Sequence, residues 1–497
     1  MDHFGWWSLV PPLLAIFLAI RTKKVFMALF GGIWMSFLIT DHWRPLRSFY
    51  DAIMSLVHVF ASEDNTMTIM FSALVGALIL FVQKSGGTEG FVRLMRRYLD
   101  AGASGDTKRI RRKIALMAWL TGIIVFVETS ISSLTVGTVF RPLFDKYGIS
   151  REKLAYLADS SSAPVSVLLP FNAWGAFIMG LLMTEGMPRP FTLLIKSIPY
   201  NFYAWIALGT GLAAVWFDWH PGPMKHAQRR VESGGGVLPE GAVPMVSEEL
   251  TEVEPVAHVR PRAANMLVPI GVMVLMMPVL LIFTGWKKLP AGADHMSWPE
   301  KLLSALGNGS GSTSVLFAVI TALTVAALMY RLQGIARFTE MNDWVLKGIS
   351  GMMPLALLMM MAFALGSVTK ELGTGVYLAG LAKDFLAPAW IPFIVFLLSA
   401  FIAFATGTSW GTFAIMIPIA VPIALHLQLP VHLVLAAVLS GGVFGDHASP
   451  ISDTTIISSM AAATDHIDHV RTQLPYALIS AGLAALLFLA AGFWYVG

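Results

Sequence analysis

The sequence predicts an all-α polytopic membrane protein made of two inverted-topology repeats, each about five transmembrane helices plus a re-entrant hairpin, with broken helices at the midplane. Three observations carry that prediction. Hydrophobic residues are 56% of the 497 and charged residues only 13%, far below the roughly 25% charged share of a soluble domain. Apolar runs of about 20 residues, long enough to cross a bilayer, recur from end to end. Three short motifs also return once each, in the same order and at nearly constant spacing. Lys84-x-x-Gly87-Thr88 returns as Lys370-x-x-Gly373-Thr374, 286 residues on; Thr129-Ser130 returns as Thr408-Ser409, 279 on; and DSSSAPVS from Asp159 returns as DHASPIS from Asp446, with Pro164 and Pro450, and Ser166 and Ser452, again 286 apart.

In chain order the apolar segments are 6–20, 25–39, 66–83, 114–140, 154–184, 191–217, 263–286, 312–330, 349–369, 389–425, 430–463 and 474–496. The start, MDHFGWWSLV, has an acid, no Lys or Arg before its apolar run and no small-residue cleavage site, so 6–20 is expected to be a first span and not a cleaved leader. The loops at 21–24, 93–113, 141–153, 225–262, 331–347 and 471 hold 24 of the 34 Lys and Arg. Loops enriched in this way are expected to be cytoplasmic. Both flanks of 114–140 then lie on one face, and 27 residues are too few for two crossings, which need roughly 40. A re-entrant hairpin follows, with Glu128, Thr129 and Ser130 at its tip, where non-helical backbone must be buried in protein or line a cavity.

Residues 1–217 thus form the first repeat, with its hairpin at about 114–140 and its broken helix at about 154–184. Residues 263–497 form the second, with a hairpin at about 391–425, tipped by Thr408 and Ser409, and a broken helix at about 430–463. Five crossings, an odd number, turn the second copy upside down. The segment 218–262 is rich in Pro, Gly and charge and then acidic through Glu248, Glu249, Glu252 and Glu254; it reads as a cytoplasmic linker, largely disordered, that tethers the halves.

The stretch Ser440 to Thr455, SGGVFGDHASPISDTT, concentrates the chemistry. It places Asp446, His447 and Asp453 between apolar flanks, and ionisable residues at that depth are costly and usually functional. Its glycines and Pro450 break the helix, which frees backbone groups to hold an ion. Sodium is a hard cation that takes about five or six oxygens from carboxylates, carbonyls and hydroxyls. Asp446, Asp453, Thr408 and Ser409 are therefore the candidate Na+ ligands, with Ser449, Ser452 and Thr454 beside them. Burial disfavours the charged form of a carboxylate, so one such group can hold either Na+ or H+. In the first repeat the matching candidates are Glu128, Thr129, Ser130, Asp159, Ser162 and Ser166, with Asn172 edging a substrate cavity. Each has a plainer reading too. Asp446 and Asp453 suit caps or turns around Pro450, Asp159 and its serines suit a cap on the helix at Pro164, and Glu128 suits a buried structural carboxylate. His447 reads equally as a neutral packed imidazole or a proton carrier.

The run Gly445 to Thr455, GDHASPISDTT, resembles the signature of the NhaC family of Na+/H+ antiporters, within the wider ion transporter superfamily. The hairpin tips at Thr129-Ser130 and Thr408-Ser409, paired with breaks after Asp159 and Asp446, resemble that superfamily's plan. The resemblance implies scaffold and transport regions and sodium-linked exchange. It leaves the cargo open, because similar members are thought to move amino acids or organic acids. The 218–262 linker and the basic 104–113 loop are not placed by that pattern.

The expected function is secondary active transport: Na+/H+ antiport by alternating access, with Na+- or H+-coupled movement of an amino acid or small organic acid as the alternative. Neither hairpin tip carries Lys or Arg, which favours the cation over an anionic cargo. A channel is a further alternative. Gly407-Thr-Ser409-Trp-Gly411 fits the G-x-S-x-G pattern of serine hydrolases, but that pattern needs a strand-turn-helix setting, so an enzyme is not expected. ATP-driven pumping has no P-loop to support it. Absent cysteine excludes disulfides and thiolate metal sites. The expected partners are Na+ or Li+, H+ and the lipid bilayer, with no resident cofactor and no nucleic acid, in a homodimer of the cytoplasmic (inner) membrane.

Overall fold

The computed structural model describes residues 4–22, 24–100, 107–126, 129–242, 256, 260–289, 297–374, 377, 387–450 and 452–496. Their regular structure is helical. The first part of the chain forms α1 (Val10–Thr22), α2 (Val25–Thr40), α3 (Pro45–His58), α4 (Glu63–Lys84), α5 (Gly87–Asp100), α6 (Thr107–Ile124), α7 (Thr129–Tyr147), α8 (Arg151–Ser160), α9 (Ala163–Leu168), α10 (Ala173–Thr184), α11 (Pro190–Ser197), α12 (Phe202–Trp216) and α13 (Pro223–Glu232). The second part forms α14 (Ala264–Trp286), α15 (Trp298–Asn308), α16 (Gly311–Leu332), α17 (Phe338–Glu371), α18 (Ile391–Thr406), α19 (Ser409–His426), α20 (Val431–Ala448), α21 (Asp453–Ala462) and α22 (His466–Val496). Among the described residues nine helical stretches are long and apolar enough to cross a bilayer. Large apolar side chains such as Leu275, Phe283, Leu332 and Trp494 stand exposed on the outside, a surface that suits lipid.

One group of helices, α4, α14, α16 and α17, packs through small residues. A Cβ on Gly76 would lie 2.1 Å from the Gly348 carbonyl oxygen, and one on Gly348 would lie 2.5 Å from Ala77 Cα. Only glycine lets α4 and α17 touch backbone to backbone there, which is how helices associate where hydrophobicity gives no preference between lipid and protein.

The other group holds the chain breaks. The pair α6 and α7 pack on one another, as do α18 and α19, so two helical hairpins stand where the recurring Thr-Ser motifs were found. Each hairpin reaches across to the opposite half of the chain: α7 packs on α21, and α19 packs on α10. The long α22 contacts α8, α12, α20 and α21 and so runs beside both breaks.

Several elements differ from the sequence expectation. The run 154–184 is interrupted twice, at Ser161-Ser162 and again at 169–172, so that α8, α9 and α10 replace one broken helix. The loop before α4 contains α3, whose Leu46, Phe49, Tyr50, Ile53 and Val57 are exposed, the pattern of a helix lying in the bilayer interface. The linker, expected to be largely disordered, contains α13, docked on α8 and α22. Arg230 donates twice to the buried Glu152 carboxylate, at 2.8 and 3.1 Å, and Gln228 accepts from the Ser150 amide at 3.1 Å. Nearby, Lys153 Nζ donates to Asp218 Oδ1 at 3.0 Å and to His220 Nε2 at 2.9 Å. Burial opposes ionisation of Asp218, but the Lys153 ammonium outweighs it and leaves the carboxyl below its ordinary range. The same burial, and the same ammonium, hold the His220 imidazole down to about 4.

Candidate ion site

Asp446 sits in the last turn of α20 and is buried. Its carboxylate is met by the starts of two other helices. Gly407, with φ 71°, ends α18 in the left-handed region, which glycine adopts without a Cβ penalty; the chain then passes through extended Thr408 into α19. This turn points the Ser409 amide and hydroxyl at Asp446 Oδ2, at 3.1 and 2.5 Å. Ser452 caps α21, receiving the Thr454 amide at 3.2 Å, and its hydroxyl donates to Asp446 Oδ1. Helix N-termini carry partial positive charge, so both ends favour an anion at this point.

A carbonyl and a further hydroxyl lie beside these two serines. Ser409 Oγ lies 3.1 Å from the Gly442 oxygen, and Thr454 Oγ1 lies 3.0 Å from Ser452 Oγ. The hairpin comes this close because α20 has glycines where it crosses α18: a Cβ on Gly441 would be 2.4 Å from Phe396 O, and one on Gly445 2.4 Å from Ala400 O. The Ser449 hydroxyl donates to Phe404 O at 2.7 Å. Thr408, half-buried, lends its carbonyl to Thr412 Oγ1 at 2.9 Å. Asp453 opens α21 and Ser130 lies in the first turn of α7, but both side chains fall outside the described residues, as does the whole of Glu128.

In the first repeat, Asp159 occupies the last turn of α8, wholly buried. Ser162 Oγ donates to the Asp159 carbonyl at 3.0 Å and pairs with Ser133 Oγ at 2.9 Å. Ser166 bonds back to the Ser162 carbonyl at 3.2 Å. Ser133, one helical turn past Thr129 at the tip, thus brings a hydroxyl to the break. The signal was present in TSISS, where Thr129 and Ser133 are four apart on one helix face. Asn172 is a cap: its oxygen accepts the Gly175 amide at 3.0 Å and its nitrogen donates to the Ser166 carbonyl at 3.0 Å.

The two breaks are joined by Gln473 on α22. Its nitrogen donates to Asp159 Oδ2 at 2.7 Å and to the His447 carbonyl at 2.5 Å. Its oxygen lies 2.9 Å from His469 Nε2, and His469 Nδ1 lies 2.8 Å from Ser459 Oγ. His447 turns its Nδ1 to the Tyr203 hydroxyl at 2.6 Å, so Ser409 and His447 do not face one another as a hydrolase pair would.

Two cavities have distinct linings. One of about 630 Å³, at the end carrying the basic loops, is lined by Glu152, Arg230, Asp468, Arg471 and Thr472, the last adjoining Gln473. The other, about 540 Å³, is lined by Asp64, Asn65, Thr184, Phe363 and Glu371. Across the α10–α19 contact the ring of Trp410 lies 5.2 Å, centroid to centroid, from those of Trp174 and Phe177, and Phe177 lies 6.2 Å from Phe363.

The profile of the Na+/H+ antiporter family matches residues 184–493. The chain belongs to that family. An uncharacterized protein of Haemophilus influenzae is 32% identical over 99% of this chain and 92% of its own length. The malate-2H(+)/Na(+)-lactate antiporter of Bacillus subtilis is 30% identical over a more local region, 32% of this chain and 34% of that one. Among solved structures the YdaH transporter of Alcanivorax borkumensis shares the fold, with a TM-score of 0.54 at 13% identity over 91% of this chain and 90% of that one. This member of the Na+/H+ antiporter family is a multi-pass secondary transporter, as the 445–455 run implies.

Proposed function

We propose that the protein exchanges Na+ or Li+ for protons by alternating access, with Asp446 holding one or the other. The observation that carries this reading is the Asp446 carboxylate, buried where a helix breaks and bonded to both Ser409 and Ser452 hydroxyls. A hydroxyl that donates to an ion-free carboxylate can rotate and offer its lone pairs to a bound cation. The same oxygens then serve either a proton or a hard cation, and competition between the two yields coupled exchange. The reciprocal packing of α7 on α21 and α19 on α10 supports the inverted relation of 1–217 and 263–497 across the 218–262 linker, an arrangement typical of alternating-access carriers.

Sealed proteoliposomes with an internal pH probe test this. A Na+ or Li+ pulse should move protons, and Asp446→Asn should abolish the movement while the protein remains folded, because the amide keeps the shape and removes the titrating charge. In the parent, apparent Na+ affinity should fall as pH drops, since the proton takes the same oxygens. An Asp446→Asn protein that exchanges at the parent's rate and pH dependence would refute the assignment.

The local match to a malate-2H(+)/Na(+)-lactate antiporter supports a second reading, coupled exchange of small organic acids. In the same vesicles, proton movement that requires malate or lactate in addition to Na+ would favour it.

A further inference from the structure

The hairpin arm α6 begins in a cluster of bases that the ion site does not use. Lys108, Arg109, Arg111, Arg112 and Lys113 fall within its first two turns, where the helix dipole is positive as well. Four bases, Lys108, Arg111, Arg112 and Lys153, and two acids, Asp218 and Glu232, line a cavity of about 70 Å³ between the ends of α6, α8 and α12 and the docked α13. The acids are matched one to one: Lys153 Nζ donates to Asp218 Oδ1 at 3.0 Å and Arg111 Nη1 to Glu232 Oε1 at 2.8 Å. Arg111 Nε donates in addition to the Tyr147 carbonyl at 2.6 Å, so Arg111 belongs to the packing. Arg112 is exposed. Its guanidinium lies 5.7 Å from the ring centroid of Trp216, an attraction that leaves its hydrogen-bond donors available. Four bases against two acids give a lining that favours an anion.

The same two helices continue from that end with exposed apolar faces. On α6, Arg112, Leu116, Leu120 and Ile124 are spaced by four and so share one face, and Leu120 and Ile124 are exposed. On α12, Trp205, Gly209, Leu212 and Trp216 recur at helical spacing, all exposed, and a Cβ on Gly209 would meet nothing within 4 Å. Arg112 on Trp216 joins the two helices at the basic end. Deeper, Trp119 meets Gly211, where a Cβ would lie 2.9 Å from the indole nitrogen. Leu120 and Leu212 follow those two residues directly. Phe217, exposed at the end of α12, adds a ring of the kind found at headgroup depth. Positive charge at one end of an exposed apolar track matches an anionic lipid. A soluble anion would use only the charge, and a zwitterionic lipid would bring a cation of its own to the bases. We propose that this is a binding site for an anionic phospholipid, with its phosphate at Lys108 and Arg112 and an acyl chain along the exposed faces of α6 and α12. Basic pockets between spans at the cytoplasmic side suit such headgroups.

Native mass spectrometry of the full-length protein, with phosphatidylglycerol and phosphatidylcholine of equal chain length supplied together, tests the site. The parent should retain phosphatidylglycerol in preference, with one molecule per chain bound most tightly. Arg112→Gln and Lys108→Gln should each weaken that binding about fivefold, the loss expected for one base at an anionic lipid, whereas Arg112→Lys should keep most of it. Both side chains are exposed, so the variants should fold. Leu120→Gln should weaken it too, because the acyl chain loses part of its track. Lys287 is the control: it also stands over an exposed ring, 6.0 Å from that of Phe283 at the end of α14, and Lys287→Gln should leave the binding unchanged. No preference in the parent, or an equal loss in Lys287→Gln, would mean that charge adsorbs lipid anywhere and would overturn the proposal. Inorganic phosphate that displaces phosphatidylglycerol from the parent would make the ligand a free anion and overturn the lipid assignment. So would a parent mass of two copies that falls to one in Leu120→Gln with lipid retained, since the face would then be an interface between copies.

Discussion

Ser409 and Ser452 each hold one oxygen of Asp446, whereas Ser449, three residues away, spends its hydroxyl on a carbonyl of α18. On the proposed ion site, that contrast makes Ser409 and Ser452 ligands and Ser449 scaffold. Ser409→Ala and Ser452→Ala should each weaken apparent Na+ affinity roughly tenfold with maximal rate largely kept, the effect of losing one bond of about 1.4 kcal/mol at a charged group. Ser449→Ala should leave Na+ affinity unchanged. Proton movement against Na+ concentration in vesicles reads all three, and an affinity loss confined to Ser449→Ala would mean the ligand shell has been misassigned. A second residue-scale prediction concerns His220. Its imidazole is held down to about 4 by burial and by Lys153, against an ordinary value near 6.5. The folded state therefore binds fewer protons than the unfolded chain between those values, so stability is complete above about pH 6.5 and drains as pH falls toward about 4. His220→Gln, which can still accept from Lys153, lacks that loss. Melting temperatures in detergent should show the parent's advantage over His220→Gln shrinking from pH 7 to pH 4; a constant difference would contradict it.

At the scale of elements, the second hairpin depends on α18 lying against α20. Gly445→Ala puts a methyl group 2.4 Å from Ala400 O, so α18 must move and carry Ser409 with it. Overpacking of this kind costs about 1–3 kcal/mol, and transport should be lost even where the protein survives. Gly482 on α22 has nothing within 4 Å of its would-be Cβ, so Gly482→Ala should be neutral in both thermal unfolding and transport. The broken helix at Asp446 was legible because two acids and a proline inside an apolar run are too costly in lipid to stand there without a break and a site to hold them. The long spans were legible for a similar reason, since composition alone marks them. What escaped was amphipathic or local: α3 and α13 mix apolar and charged residues and form no long run, and the second interruption at 169–172 rests on an Asn172 cap inside an otherwise apolar stretch. Ser133 and Gln473 were hidden by being ordinary polar residues whose importance comes only from what folding brings next to them.

For the whole molecule, orientation is the first quantity to measure. The chain has no cysteine, so single thiols report without background. Lys108→Cys and Lys146→Cys should label from the same, cytoplasmic, face, because they sit at the two outer ends of the α6–α7 hairpin, in stretches rich in Lys and Arg. Labelling from opposite faces would require an odd number of crossings between the two positions and would end the re-entrant reading of 114–140. The docked linker sets a different kind of limit. Past α13 the chain runs from 242, is next described at Val256, whose amide bonds to the Lys84 carbonyl at the end of α4, and continues past Gly86 and Gly90 into α14. One end is fixed beside the breaks of α8 and the other on the glycine-packed group of α4, α14, α16 and α17. The covalent chain between 242 and 256 can extend to no more than about 3.3–3.6 Å per residue, close to 50 Å in all. The number of residues between 242 and 256 therefore sets an upper bound on how far the end of the α13 segment and the entry to α14 can ever separate.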